Sequence, residues 1–282
     1  MPLTKKLIIA IGCLGLSLSA ANAENSVLKV CAAEDEMPYS NNKGEGFENK
    51  LALLLGDGLH KTISFVYWTD PRYYLRDTLD KGLCDVVIGV DTGDPRVSTS
   101  LPYYRSAYVF VTRQNDKPAI NNWDSAALRS VQRIAFVPGS PAEVMLRAIG
   151  RYNDMFNYSQ ELVGYKSKRN QYVKYDTAKL VGEVSSGHAE VAALWGPAAG
   201  RYVKASTTPL TMTVIPDTNS RADGAKVEHH YSTSMAVRKG NETLLAIVNQ
   251  TIKTKQAEIR HILEAEGIPL LDAGTMAVAA SH

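Results

Sequence analysis

The turn at 91–96, with the sequence Asp-Thr-Gly-Asp-Pro-Arg, is the first candidate for ligand chemistry. It follows the apolar run 84–90, and its Asp-Pro step is typical of the start of a helical turn. The planar guanidinium of Arg96 suits a carboxylate or a phosphate. An ion pair of Arg96 with Asp91 or Asp94 is an equally good interpretation. Spacing alone leaves both a ligand site and a local salt bridge open.

The segment 138–143, with the sequence Pro-Gly-Ser-Pro-Ala-Glu, is the second candidate. Ser140 can cap a helix whose first residue is Pro141, and Glu143 stands three residues after the cap, which is the pattern of a capping box. Free backbone N–H groups and the helix dipole favour an anion at such a helix start. A cap that satisfies only its own helix is the alternative interpretation.

Three aromatic residues form the third candidate, since Tyr39, Trp68 and Trp195 each stand at or just beyond the end of a predicted strand. An aromatic lining favours apolar or planar ligands, or a closed cleft with little room. Core packing is at least as good an interpretation for Trp68.

Motifs of enzymes and of metal sites are missing from the sequence. It contains no G-x-S-x-G elbow, no P-loop, no H-E-x-x-H and no C-x-x-C. His229 and His230 are adjacent, and adjacent residues of a strand point to opposite faces, which makes a poor metal site. We therefore predict a protein that is not an enzyme, with no catalytic residues, no metal and no cofactor.

The elements that must position these residues alternate between strands and helices. Strands are predicted at 27–32, 62–68 and 84–90, with helices that start at 47 and at 70; the first is expected to stop at Gly56 and Gly58. This βαβαβ order predicts a parallel sheet. A similar pattern restarts at 133, and polar crossings separate the two halves. Two lobes are therefore expected, with ligands in the cleft outside the carboxyl ends of the strands.

The N-terminal residues 1–23 are predicted to be a signal peptide. Lys5 and Lys6 precede a short apolar run, and Ala21-Asn22-Ala23 is a cleavage site of small residues. The run is too short to span a membrane, so we expect a periplasmic chain without membrane insertion. Removing the predicted signal peptide takes away two of the 31 basic residues and none of the 29 acidic ones. The mature chain is formally neutral, which argues against a nucleic-acid partner.

The predicted domain organisation has five segments. They are the signal peptide (1–23), the N-terminal part of a first lobe (24–112), a second lobe (113–224), the C-terminal part of the first lobe (225–271) and a flexible tail (272–282).

Cys31 and Cys84 are the two cysteines outside the predicted signal peptide. Export to an oxidising compartment predicts a disulfide between them. For a loop of about 50 residues, the chain-entropy model predicts that the disulfide stabilises the folded state by about 4 kcal/mol. Two buried free thiols are the alternative, and a metal pair is disfavoured because no His is close in sequence.

The run 46–113 resembles the extracellular solute-binding proteins of family 3. The landmarks are the helix at 47–59, the strand at 84–90, Asp94-Pro95-Arg96, and the segments 101–104 and 108–111. The resemblance implies an α/β, periplasmic-binding-protein-like (type II) fold of two lobes, with two mostly parallel sheets and a hinge. It places a ligand carboxylate on Arg96. Asp91 stands where that family has Ser or Thr, and no acid is found near 195–197, so amino-acid binding is not implied.

A closer resemblance, to the MxaJ-type proteins of methylotrophic bacteria, covers nearly the whole mature chain. It rests on VCA (30–32), PYSN (38–41), CDVVIGV (84–90), PYYRS (102–106), LWGPAAG (194–200) and SMAVRKG (234–240). The resemblance implies a periplasmic accessory protein of the methanol oxidation system that assists maturation, assembly or activity of a PQQ-dependent methanol dehydrogenase. The PQQ and the metal then belong to the dehydrogenase. The alternative is a receptor that delivers a small organic ligand to an ABC transporter.

Overall fold

The structure is a computed structural model that describes residues 27–116, 119–162 and 175–272. The predicted signal peptide at 1–23 lies outside these ranges, and so does the predicted tail apart from Asp272. In the ranges that are described, no helix combines the length and the apolar character that a membrane crossing requires.

Ten strands and eight α-helices make up the described fold, with one π-helical turn at Leu75–Leu79. The strands are β1 (Val27–Ala33), β2 (Asp35–Glu36), β3 (Ser40–Asn41), β4 (Thr62–Trp68), β5 (Val86–Asp91), β6 (Ser98–Arg113), β7 (Ile134–Phe136), β8 (Val191–Trp195), β9 (Leu210–Val214) and β10 (His230–Val237). The helices are α1 (Phe47–Leu59), α2 (Ala127–Ser130), α3 (Pro141–Ala148), α4 (Tyr152–Leu162), α5 (Thr177–Ser185), α6 (Gly196–Lys204), α7 (Glu242–Thr254) and α8 (Gln256–Ala265).

The first lobe is built on the strand order β4-β1-β5-β10-β6. β1 runs parallel to β4 and β5, whereas β10 pairs antiparallel with both β5 and β6. Side chains of α1, α7 and α8, among them Phe47, Val248 and Leu263, pack with Val30 and Ile88 into one buried cluster. Because helices cover one face and the π-helical turn packs on the other, β1 and β5 are apolar along most of their length.

The long strand β6 connects the two lobes. Its first part pairs with β10, and its residues 108–113 pair antiparallel with β8 and β9 in the second lobe. β7 lies parallel to β8. Two buried clusters cover the two faces, one around Trp123 and Phe136 and the other around Val109 and Leu180. The prediction of two mostly parallel sheets is wrong in this detail, because β6 runs through both lobes and joins their strands into one eight-stranded mixed sheet. Its parallel pairs are β1–β4, β1–β5 and β7–β8, and the pairs made by β6 and β10 are antiparallel.

Two local predictions about helices are wrong. Helix α1 continues through Gly56 and Gly58 and ends at Leu59, followed by His60 in the left-handed conformation with a φ of 53°. The glycines permit close packing instead, because a Cβ at Gly56 would lie 2.7 Å from Cγ1 of Ile63. The helix expected to start at 70 forms only the π-helical turn 75–79.

The disulfide between Cys31 and Cys84 is present, which confirms that prediction and excludes the pair of free thiols. Cys31 lies in β1 and Cys84 precedes β5, the strand paired with β1. Their Cα atoms are 5.5 Å apart, within the range that a disulfide can bridge.

Helix α6 of the second lobe contacts the first lobe through a buried carboxylate. Glu266, which is 5% exposed, accepts hydrogen bonds from Arg201 Nε at 2.6 Å and from Lys50 Nζ at 2.6 Å. Burial opposes ionisation of Glu266, but these hydrogen bonds outweigh it and hold its pKa below the usual range. Beside this contact the main chains of Gly200 and Gly267 touch, since a Cβ at Gly200 would lie 2.5 Å from the carbonyl oxygen of Gly267.

Candidate functional site

A cavity of about 480 Å³ lies between the lobes, at the carboxyl ends of β5 and β8. This is the place where α/β sheets bind ligands. Its lining consists of six aromatic residues, three acids, one arginine and three other residues: Tyr39, Tyr74, Tyr104, Tyr108, Tyr231, Trp195, Glu48, Asp91, Asp94, Arg96, Gly89, Val90 and Thr233. A second cavity of about 710 Å³ shares the rings of Tyr39, Tyr108 and Trp195.

Four of the six predicted cleft residues line the 480 Å³ cavity: Tyr39, Asp91, Arg96 and Trp195. Trp68 does not; its ring stacks on Tyr74, with the ring centroids 4.8 Å apart, and packs against the cluster around the disulfide. Ser140 lines another pocket together with Arg221 and residues 225–228, and this pocket shares only Tyr231 with the 480 Å³ cavity. Whether the four grouped residues bind a ligand stays a prediction.

The capping box predicted for Ser140 is wrong. Ser140 has the extended conformation of a helix cap, but its hydroxyl makes no cap hydrogen bond and has no partner among the described residues. Glu143 instead accepts a hydrogen bond at 2.8 Å from the backbone N–H of Gly139 and one from Arg147. The carboxylate of Glu143 is engaged by these donors, so it does not complete the pattern at Ser140.

Arg96 forms the local salt bridge that the sequence left open, and it does so with Asp94. The Nε of Arg96 lies 3.0 Å from Oδ1 and its Nη2 lies 2.6 Å from Oδ2, and the backbone N–H of Arg96 donates to Oδ1 as well. These hydrogen bonds keep the pKa of Asp94 below its ordinary value. The guanidinium is thus held by the chain itself before any ligand is considered.

Glu48 is a cavity residue that the sequence analysis missed. It stands in the first turn of α1, and its carboxyl lies directly over the Cα of Gly89, because a Cβ there would be 2.0 Å from Glu48 Oε1. No described residue donates a hydrogen bond or an ion pair to this carboxyl, and burial raises its pKa to about 7. Two signals could have revealed it: a glycine inside an apolar strand marks close approach, and Glu48 has no basic residue four positions later.

Asp91 is the second carboxyl without a partner. It ends β5, lines the cavity and has neither a hydrogen bond nor an ion pair to its side chain in the described part of the chain. Partial burial, with the nearby charge of Asp94, raises its pKa.

Three rings of the lining pack against one another at steep angles, and we call Tyr108, Trp195 and Tyr231 the aromatic box. The centroids of Tyr108 and Trp195 are 5.4 Å apart, those of Trp195 and Tyr231 are 5.8 Å apart, and the planes of the second pair meet at 76°. Burial raises the pKa of Tyr108 and of Tyr231, and the charge of Asp91 adds to the effect on both. Asp91 therefore lies within electrostatic reach of the box.

His229 and His230 have structural roles. The Nε2 of His229 accepts a hydrogen bond at 3.0 Å from Trp123 Nε1, and its Nδ1 lies 2.9 Å from the carbonyl oxygen of Val227. Nδ1 therefore carries the proton, and burial lowers the pKa of this imidazole. Across the described ranges, no group of three or more His, Cys, Asp or Glu side chains is arranged to hold a metal ion.

Comparison with known proteins gives three informative similarities, and no model of a protein family matches the chain. The chain is 41% identical over 253 residues to Protein MoxJ of Methylorubrum extorquens, which covers 89% of this chain and 84% of that protein. The crystal structure of MxaJ from Methlophaga aminisulfidivorans MPT superposes with a TM-score of 0.82 at 47% identity, covering 86% of this chain and all of that one. The periplasmic binding protein XoxJ from Methylobacterium extorquens AM1 gives a TM-score of 0.63 at 26% identity over 86% of this chain and 99% of its own. These similarities confirm the predicted fold class.

Proposed function

The chain belongs to the MoxJ family, and from that premise we propose that it is a non-enzymatic, periplasmic accessory protein of the methanol oxidation system. In this role it contacts a PQQ-dependent methanol dehydrogenase and assists its maturation, assembly or activity. One observation carries the proposal: the similarity to MoxJ and MxaJ extends over nearly nine-tenths of the chain, including both lobes. The fold alone does not distinguish this role, because XoxJ is called a periplasmic binding protein.

The chemistry of the cavity supports a binding role and not a catalytic one. The described residues that line it include no Ser, Cys, His or Lys, so a nucleophile with an adjacent base is not assembled there. The hydroxyl of Thr233 is engaged in a hydrogen bond with Tyr104. Arg96 forms a bidentate pair with Asp94 through Nε and Nη2. What remains are two carboxyls and a wall of aromatic rings, without a nucleophile beside either carboxyl.

The test is a direct binding measurement with the methanol dehydrogenase of the same organism. Both purified proteins are combined at low and at moderate salt, and the complex is measured by sedimentation velocity and by biolayer interferometry. We expect a saturable complex, because an accessory role in assembly requires contact. A periplasmic binding protein of the same fold from outside this family serves as the control. If both proteins are folded and no complex forms at either salt concentration, the proposal is refuted.

A second candidate, a solute receptor for an ABC transporter, is favoured by the cavity between the lobes. Its volume of about 480 Å³ lies within the range of small-molecule sites. A receptor requires a ligand that stabilises the protein, and at 100 times its dissociation constant a ligand adds about 2.7 kcal/mol to the free energy of unfolding. Dehydrogenase binding decides for the accessory role whether or not a ligand stabilises the protein. A stabilising ligand without dehydrogenase binding decides for the receptor.

A further inference from the structure

The charges that line the cavity do not balance. Arg96 is the one basic side chain among the described lining residues, and Asp94 already occupies it in a bidentate pair. Glu48 and Asp91 contribute two more carboxyls, and neither has a described partner. An unpartnered carboxylate with the burial of Glu48 is unfavourable, and the more exposed Asp91 adds a second carboxyl at the end of β5. The cavity therefore has an excess of negative charge that the protein itself does not neutralise.

The aromatic box adds a second and independent feature. Tyr108, Trp195 and Tyr231 lie with centroids 5.4 to 6.3 Å apart, and their planes are inclined to one another by 49° to 76°. Rings at these separations are in contact, so the three form one packed aromatic wall of the cavity. The face of an aromatic ring attracts a cation, so an ammonium group on the cavity side of this wall is favoured. Tyr39, Tyr74 and Tyr104 extend the aromatic lining.

We propose that this cavity binds a small organic cation, whose ammonium group lies between the aromatic box and the carboxyls of Glu48 and Asp91. The chemistry argues against the main alternatives. An anion would meet two carboxyls without described partners, and the Nε/Nη2 edge of the Arg96 guanidinium is already engaged by Asp94. A bare metal ion would require more oxygen ligands than this lining of rings and two free carboxyls supplies. An uncharged ligand would leave both carboxyls in the cavity without a counter-charge.

The inference rests on the cleft being a ligand site and not on contact with the dehydrogenase. The two can therefore fail separately. A chain that binds the dehydrogenase and no cation retains the accessory role, and a chain that binds a cation and no dehydrogenase retains the cavity site.

The test compares choline with 3,3-dimethyl-1-butanol, which has the same shape and no charge. Isothermal titration calorimetry on the full chain at pH 8 is expected to show saturable binding of choline. The uncharged isostere is expected to bind at least about tenfold more weakly, because it loses the attraction of the rings and of the carboxyls. Sodium acetate, titrated in the same buffer, is expected to give no binding heat.

Three variants locate the site. Glu48→Gln keeps the shape and removes the charge, and Tyr231→Leu removes one wall of the aromatic box; each is expected to weaken choline binding about tenfold or more. Glu161→Gln, on the exposed face of α4 and outside the cavity, is the matched control and is expected to leave the affinity unchanged. Thermal melts show that each variant is folded. Equal affinity for choline and its isostere, tighter binding of acetate, or no choline binding at millimolar concentration overturns the proposal.

Discussion

Replacing Glu48 by Gln should make the protein more stable at pH 8 and leave its stability unchanged at pH 4. The carboxyl of Glu48 has no described partner, and burial raises its pKa from 4.5 to about 7. Below pH 4.5 the carboxyl is protonated in the folded and in the unfolded chain, so it does not change the free energy of unfolding. Between pH 4.5 and 7 the unfolded chain loses the proton first, and the free energy of unfolding falls as the pH rises.

The size of the effect follows from the same pKa values. A rise from 4.5 to about 7, at about 1.4 kcal/mol for each pH unit, amounts to about 3 kcal/mol at pH 8. Glu48 is partly exposed to the cavity, so screening by water makes this value a ceiling. For a chain of this size it corresponds to a rise of about 6–12 °C in the melting temperature. The neutral Gln side chain removes the penalty of burying the charge.

The assay is urea unfolding of the wild type and of Glu48→Gln from pH 4 to pH 8, without ligand. The groups that face Glu48 are Tyr39, Tyr74, Tyr103 and Tyr104, whose raised pKa values keep them neutral throughout this range. Other titrations are common to both proteins and cancel in the difference. A difference that is the same at pH 4 and pH 8, or a variant that is less stable at pH 8, refutes the argument. Glu161→Gln, which removes one exposed carboxyl outside the cavity, is the control for the loss of a negative charge.

Three further changes test two contacts between the lobes and the disulfide inside the first lobe. Arg201→Ala leaves the buried carboxylate of Glu266 with only Lys50 and should cost about 2 kcal/mol in urea unfolding at pH 7. This loss should shrink as the pH falls from 4.5 toward the lowered pKa that Glu266 has in the folded chain, and a loss that is constant with pH contradicts the reasoning. Replacing both half-cystines by Ser should cost up to about 4 kcal/mol; calorimetric melts that match the wild type would contradict it. Gly200→Ala should cost about 1–3 kcal/mol, because its Cβ would lie 2.5 Å from a main-chain oxygen; the control Gly182→Ala, in open space in α5, should not destabilise.

The sequence predicts the elements of this fold well where local pattern decides. The alternating apolar residues of 62–68 form β4 at those bounds, and the start of α3 at Pro141 is correct. It fails where distant packing decides. Gly56 has the local signature of a helix end, yet the helix continues because the glycine accommodates Ile63 from the next strand. The π-helical turn 75–79 likewise packs against the disulfide cluster, which no local pattern specifies.

The candidate site was predictable where the position of a residue at the end of a strand decides its place, and not where distant packing decides it. Asp91, Arg96 and Trp195 follow directly from the rule that ligands bind at the carboxyl ends of strands, and all three line the cavity. The sequence did not reveal Glu48, because its significance depends on the approach of α1 to Gly89 of β5. It also left the partner of Arg96 open, since Asp91 and Asp94 are equally near in the chain and only the turn geometry selects Asp94.

Glu48 connects stability with binding in a way that supports a ligand role for the cavity. Residues that lower the stability of a fold persist where function requires them, because most positions tolerate more stable alternatives. A glutamine at position 48 would keep the shape and remove the unfavourable charge. A cation bound beside Glu48 would offset the burial of its carboxylate, so the same residue would destabilise the empty protein and stabilise the complex. The Glu48→Gln variant should therefore gain stability and lose choline binding together, whereas a carboxyl with only a packing role would change stability alone.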